Sequence, residues 1–374
     1  MRPAWIEVDL VALRKNIRNL KSCTQEGADF MGVIKADAYG HGAVKTAETL
    51  ISEGVNRFAV VTLEEGIKLR QNGFSNPTLI LGHTIEEDYD KVLEYDLIPV
   101  IYKYSQALKL NNLAQEMKKD ATIHIKIDTG MGRLGFIPGE ESIKDIKAIY
   151  DLPNIFVEGI YTHLSTADQL RNTDYVYSQF SKFMKVLSDL KDVGVNIPIR
   201  HMANSAATIN YPEMHLDMVR PGTSLYGLYP GPEMAQNPTV DLYPVMSIKA
   251  KIVHIKSVPE DTSISYGRTF ITDKPSVLGI VPMGYVDGVF RQLANKGEVL
   301  IKGKRCPMVG TICMDQFLVD ITDLDNPEIG DEVVLVGQQG EERITADEVG
   351  SIAGTNSIEI VTRMGKRMPI VYIE

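Results

Sequence analysis

Phe30-Met31-Gly32-Val33-Ile34-Lys35-Ala36-Asp37-Ala38-Tyr39-Gly40-His41-Gly42 opens the reading of this chain. Its first five residues, mostly apolar and partly β-branched, predict a buried strand. The small residues and glycines after them predict a loop. Residues 43–53 then carry apolar side chains at helical spacing. Strand, loop and helix in that order make one β/α unit. Lys35 stands where the strand ends, held firmly yet able to reach a cleft. Desolvation there favours the neutral, nucleophilic amine, the form needed for Schiff-base chemistry with an aldehyde cofactor.

The same unit recurs outward from this stretch. Strands are predicted at 30–34, 57–61, 78–81, 98–101, 123–127, 156–162, 199–203 and 218–219, with helical patterns at 43–53, 63–72, 105–119 and 174–193 between them. Eight strands with intervening helices is the count of a (β/α)8 TIM-type barrel. From about Leu242 the texture changes to β-like runs at 245–257, 277–281, 298–301, 317–321 and 332–336, with one helical stretch at 345–352. The expected division is a barrel over 1–240 and a mostly-β domain over 241–374. Residues 5–8 read as a strand ahead of the barrel, so that 1–10 are a candidate to pair with the second domain.

At 374 residues the chain is long enough for both domains, and its hydrophobic fraction of 44% is that of an ordinary globular protein. A net charge of −10 argues against nucleic-acid or acidic-membrane partners. Cys23, Cys306 and Cys313 are odd in number and widely spaced, which points to reduced thiols, a cytoplasmic setting and no metal cluster. Neither a signal-peptide pattern nor an apolar run of about 18 residues is present.

In such barrels, functional side chains gather just after the strands' C-terminal ends. Lys35 and Tyr39 follow the first strand. Lys126 and Arg133 belong to the end of the fifth, and His163 follows the sixth. Asn204 and Ser205 follow the seventh, and Arg220 to Thr223 follow the eighth. Ser205, Gly222 and Thr223 offer hydroxyls and amides suited to a phosphate. Arg220 can only donate hydrogen bonds. Residues 130–135 fit G-x-G-x-x-G, but Pro138 follows too soon for a long helix to open there, so a dinucleotide site is rejected.

Val33-Ile34-Lys35-Ala36-Asp37-Ala38-Tyr39-Gly40-His41-Gly42 resembles the cofactor-lysine motif of alanine racemases, and Arg2-Pro3-Ala4-Trp5-Ile6-Glu7-Val8-Asp9-Leu10 resembles that family's N-terminus. Further matching strings are His201-Met202-Ala203-Asn204-Ser205, Val219-Arg220-Pro221-Gly222, Ser263-Ile264-Ser265-Tyr266-Gly267-Arg268 and Gly310-Thr311-Ile312-Cys313-Met314-Asp315. The resemblance implies a racemase that uses pyridoxal 5′-phosphate bound to Lys35 as an aldimine. It interconverts L- and D-alanine and supplies D-alanine for peptidoglycan. Lys35 and Tyr266 are then the two bases, on opposite faces of the reacting carbon.

By the same resemblance Tyr39, Ser205, Gly222 and Thr223 hold the phosphate, with Asn204 beside them. His163 packs on the cofactor ring, and Arg220, steadied by His201, faces its nitrogen. Arg133 and the backbone of Met314 contact the substrate. Lys126, carbamylated in many members, positions Arg133. Tyr285 lines the entrance, and the segment 310–315, with Cys313 as a wall residue and Asp315 at its end, closes the partner's site. Tyr266 reaches the other subunit's site, so the family works as a homodimer.

One place departs from the family. Gly354-Thr355-Asn356-Ser357-Ile358-Glu359-Ile360 has Ile358 where members commonly carry a tyrosine that touches the phosphate. This implies a pocket of altered size or polarity and keeps a broad-specificity or serine racemase as the alternative. A barrel-type decarboxylase and a barrel-only cofactor carrier are rivals from other classes. The strings around Tyr266 and Arg220 argue against the first, and the C-terminal third argues against the second.

Overall fold

The computed structural model describes residues 3–365 and 367–374; Arg2, part of the N-terminal string, lies outside the described residues. The chain divides into two compact units. One comprises Arg14–Ala38 and Ala43–Tyr243, the other Met1–Leu13, Tyr39–Gly42 and Pro244–Glu374.

The second unit takes in the first strand of the chain, β1 (Ala4–Asp9), treated below. The first unit is a closed parallel barrel of β2 (Asp29–Val33), β3 (Arg57–Val60), β4 (Thr78–Ile80), β5 (Ile98–Ile101), β6 (Ala121–Lys126), β7 (Ile155–Tyr161), β8 (Ile199–His201) and β9 (Met218–Val219), in chain order. The two-residue β9 closes the ring by pairing Met218 with Asp29 and Val219 with Phe30. The intervening helices bury one stripe each. Asp174–Asp192 buries Val176, Gln179, Phe183, Val186 and Leu190, the three-and-four spacing of an amphipathic helix. In β6, Thr122, His124 and Lys126 alternate with Ala121, Ile123 and Ile125, so one strand face is polar and the other apolar.

The other unit is mostly β, built on a ten-stranded sheet. Here β1 pairs antiparallel with β10 (Met246–Lys251) and parallel with the strand Ile370–Ile373. The single β-like stretch expected at 245–257 is two strands. β10 joins Glu332–Gln339, while His254–Val258 joins Ser276–Val281. Ile252 and Val253 make the break by bonding to different partners, Asp331 and Ile280. A helix at Ser357–Arg363 was not expected. Asn356 caps it by accepting the Glu359 amide at 2.9 Å, a short-range signal outweighed by the short span. Among the described residues no helix is long and apolar enough to cross a membrane.

Candidate active site

The segment after Lys35 is not an irregular loop. Ala36, Asp37, Ala38 and Tyr39 all have φ between 52° and 57°, one turn of left-handed helix without a glycine. Such a turn costs roughly 1–2 kcal/mol per residue and persists only where neighbours hold it. Glu65 holds one end, accepting the Ala36 amide at 2.5 Å and the Val61 amide at 2.8 Å. Asp37 bonds the Ala43 amide at 3.1 Å and the Lys68 ammonium at 2.9 Å. Burial first, and then the Arg133 guanidinium, push the Lys35 amine below the ordinary lysine range, against an upward pull from Glu65. Burial pushes the Tyr39 phenol up to about 12, which keeps it a donor.

The ends of β6, β7 and β8 and the segment after β9 assemble a buried cluster. Arg220 donates to His201 Nδ1 at 2.7 Å and to the Thr162 carbonyl at 2.9 Å, and lies 3.5 Å from His163 Nδ1. Tyr161 stacks on His201 with ring centroids 4.7 Å apart, and the Lys126 amine stands 4.8 Å from the Tyr161 ring centroid. Burial and the cations Arg220 and Arg133 hold the Lys126 amine down at about 7. Burial, Arg220 and Lys126 push the His163 imidazole far below its usual range, so it is neutral. Arg220 itself is lowered, mainly by burial, to about 10, and stays charged near neutrality.

Arg133 is exposed, on a loop organised by Asp128. That carboxylate accepts the amides of Gly130, Gly132 and Arg133 at 2.9–3.1 Å. After this loop, Ile127 bridges Phe136 and the next helix begins only at Glu140.

Donors converge on Ser205. Its Oγ accepts the Gly222 amide at 2.8 Å and the Ser224 amide at 3.4 Å, and lies 3.2 Å from the Thr223 hydroxyl. Asn204 caps the following turn through the Ala207 amide at 3.1 Å and donates to the Leu164 carbonyl at 3.3 Å.

Tyr266, Tyr285, Cys313, Met314 and Asp315 belong to the β unit. Tyr266 sits in a tight turn between Ser265 and Arg268, both at positive φ. Ser265 Oγ donates to the Thr311 carbonyl at 2.6 Å, and Thr311 Oγ1 to the Tyr266 carbonyl at 2.8 Å. The backbone is pinned while the phenol projects outward, with Tyr266 73% and Met314 52% exposed. Gly284 allows two loops to meet, since a Cβ there would come 2.2 Å from the Met314 carbonyl oxygen. Arg367 donates to Asp315 at 2.6 Å and to Asp287 at 3.0 Å. Cys313 Sγ lies 3.4 Å from Ser265 Oγ.

The barrel unit therefore gathers Lys126, His163, His201 and Arg220 in one cluster and Ser205, Gly222 and Thr223 in another. Sequence reasoning missed Tyr161, Glu65, Asp128 and His124. The alternation of His124 and Lys126 with isoleucines along β6 was the available signal.

A family model described as the N-terminal domain of alanine racemase matches residues 8–230, and one for the C-terminal domain matches 245–372. An alanine racemase of Methanococcus maripaludis is 44% identical over 371 residues, covering 99% of each chain. A solved alanine racemase of Clostridium difficile is 40% identical with a TM-score of 0.94, covering all of this chain and 96% of its own. One from Bacillus anthracis with bound L-Ala-P is 35% identical with a TM-score of 0.95 at the same coverage. Matched in both halves and along nearly its whole length, this chain belongs to the alanine racemase family of isomerases.

Proposed function

We propose that this chain interconverts L- and D-alanine by a two-base mechanism with pyridoxal 5′-phosphate held at Lys35, and so supplies D-alanine for peptidoglycan. The cofactor, when bound, supplies a conjugated ring that takes up the electron pair of the substrate's Cα–H bond. The donor set supports this fit. Ser205, Gly222, Thr223 and Ser224 present hydroxyls and amides with no carboxylate among them, and Tyr39 adds a phenol that stays protonated. Arg220, Lys126 and Arg133 make the surroundings cationic, suited to an anionic group.

The observation that carries the reading is the Lys35 amine, pushed toward its neutral form at the end of a barrel strand. On one face of the substrate carbon, Lys35 Nζ takes or returns the proton. Tyr266 Oη of a second copy serves the other face, so inversion follows when one group removes the proton and the other returns one. Arg220, which can only donate hydrogen bonds, would face the ring nitrogen and so oppose its protonation, an environment that would favour return of the proton to the same carbon over transamination. His163, neutral, would pack beside the ring, Arg133 would contact the substrate, and the Met314 amide of a second copy would receive the substrate carboxylate.

Burial and the neighbouring cations push the Lys126 amine toward its neutral form, the form that adds carbon dioxide. The amine nitrogen bonds the carbon and loses a proton, which turns a cation beside Arg133 into an anion. The exposed Tyr266, Tyr285 and Met314 support a homodimer that covers them. Ile358, standing where the family commonly has a tyrosine, keeps serine as the alternative substrate.

A chiral assay tests the reading. Purified protein with pyridoxal phosphate should carry either alanine enantiomer to the same mixture of both. Retention of optical purity on alanine overturns it, and faster loss on serine moves the assignment to the alternative.

A further inference from the structure

A line of polar groups runs away from Arg220, starting at two buried imidazoles and ending at the exposed Asp29. His201 Nε2 lies 2.9 Å from His124 Nδ1, and His124 Nε2 lies 3.0 Å from Glu158 Oε2. Glu158 then pairs with Arg57 at 3.1 Å, and Arg57 with Asp29 at 2.9 Å. Both imidazoles are fully buried. Strand β7 leaves room for one of them, because a Cβ at Gly159 would come 2.4 Å from the His124 ring.

The chemistry of the two ends decides where the protons sit. A guanidinium only donates, so His201 Nδ1 must accept from Arg220. A neutral His201 then carries its proton on Nε2 and donates to His124 Nδ1. His124 in turn carries its proton on Nε2 and donates to the Glu158 carboxylate, which only accepts. Burial keeps both rings neutral, so the contact of His124 with Glu158 is a hydrogen bond to an anion, not an ion pair. Burial would raise the Glu158 carboxyl, but His124 and Arg57 outweigh it and hold it down at about 2. With both rings neutral, one proton arrangement satisfies all three bonds.

We propose that Glu158, through His124 and His201, is a remote positioning residue for Arg220: its carboxylate sets the direction of the hydrogen-bonded chain that fixes the guanidinium. The catalytic consequence rests on the proposed placement of Arg220 at the ring nitrogen; the proton arrangement does not. An amide at 158 could donate as well as accept. His124 would then be free to carry its proton on Nδ1, facing the N–H of His201, and the bond between the rings would fail. Arg220 would lose its fixed partner with no change in the barrel.

The test begins with imidazole 15N NMR on histidine-labelled protein without cofactor. Both rings should be neutral with the proton on Nε2. An Nδ1 proton or an imidazolium at either ring overturns the proposal, whatever the enzyme's activity. Glu158→Gln should move the His201 Nδ1 resonance and lower kcat about tenfold with KM changed less than about twofold, the size typical of an outer-layer partner. Glu158→Asp, still an acceptor only, should restore both. Ile125→Val on β6, the strand of His124, gives a comparator that lowers melting temperature without moving either readout. Glu158→Gln leaving the His201 signal and kcat at wild-type values overturns the proposal, as does a kcat loss that Glu158→Asp fails to relieve.

Discussion

Arg220 in the barrel is 4% exposed, bonded to His201 and Thr162 and surrounded by groups whose titration burial has displaced. Tyr266 in the β unit is 73% exposed, and only its backbone is tied down. The first region is organised within one chain. Arg220 and His201 have their partners, and the amines of Lys35 and Lys126 are pushed toward neutrality. The buried Tyr161 hydroxyl alone of the cluster's named side chains has no hydrogen-bond partner among the described residues. The second offers a phenol on a turn stiffened by positive-φ residues, with apolar Tyr285 and Met314 also displayed. A buried site can tune pKa values because water is absent. An exposed loop can only present a group to something that will cover it. The two regions divide the work in that way: tuning in the barrel, presentation in the β unit.

The comparison breaks most visibly at Lys35. Lys35→Ala should lower racemisation at least about a thousandfold, as removal of a nucleophile or base does. It should also abolish the visible absorbance band, the source of the yellow colour expected of the wild type, that borohydride shifts. Activity within tenfold of wild type in the chiral assay would remove the tuned amine from the argument. Next in size, Tyr266→Phe should reduce kcat by about a hundredfold or more while leaving that band unchanged. Mixed Lys35→Ala and Tyr266→Phe chains should regain activity in heterodimers isolated by two tags, and a verified heterodimer with none would confine each site to one chain.

A smaller effect is expected where the two β-unit loops meet. Gly284→Ala should cost about 1–3 kcal/mol in denaturant unfolding, because the new Cβ forces the Met314 carbonyl away. KM should rise with it. An unchanged unfolding midpoint would mean that the loops separate freely.

The smallest effect sharpens the tuning side. The Lys126 amine titrates near 7 in the fold, below its unfolded value. Between those values the unfolded chain holds more protons, so stability rises with pH across that window and the burial penalty is greatest below it. Lys126→Met should therefore stabilise cofactor-free protein in carbon-dioxide-free buffer by about 1–2 kcal/mol below pH 7, with the gain fading as pH rises toward 10. A gain independent of pH would show that the ammonium is not buried.

Much of this was legible along the chain. The alternation of strands and helices identified the barrel, and all eight strands stand within a few residues of their expected places, even the two-residue β9. Lys126, His163, Ser205 and Arg220 were placed near strand ends, where barrel chemistry gathers, and the resemblance to the family supplied the roles proposed for them. The left-handed turn after Lys35 was not legible, since four non-glycine residues at positive φ have no local preference for it and depend on Glu65, far along the chain. His124 and Glu158 looked like isolated polar residues because their partners lie 77 and 34 positions from His124. The helix Ser357–Arg363 was hidden by its length.

By itself, the amino-acid order determined the periodicities, the (β/α)8 barrel with its β companion, and which residues stand at strand ends, because each of these depends on neighbours within a turn or a strand. Tertiary structure alone decided which cations share a buried space, which way the imidazole protons point, and that Tyr266 faces outward. These depend on burial and on contacts between distant segments, and water is excluded only once the fold has closed.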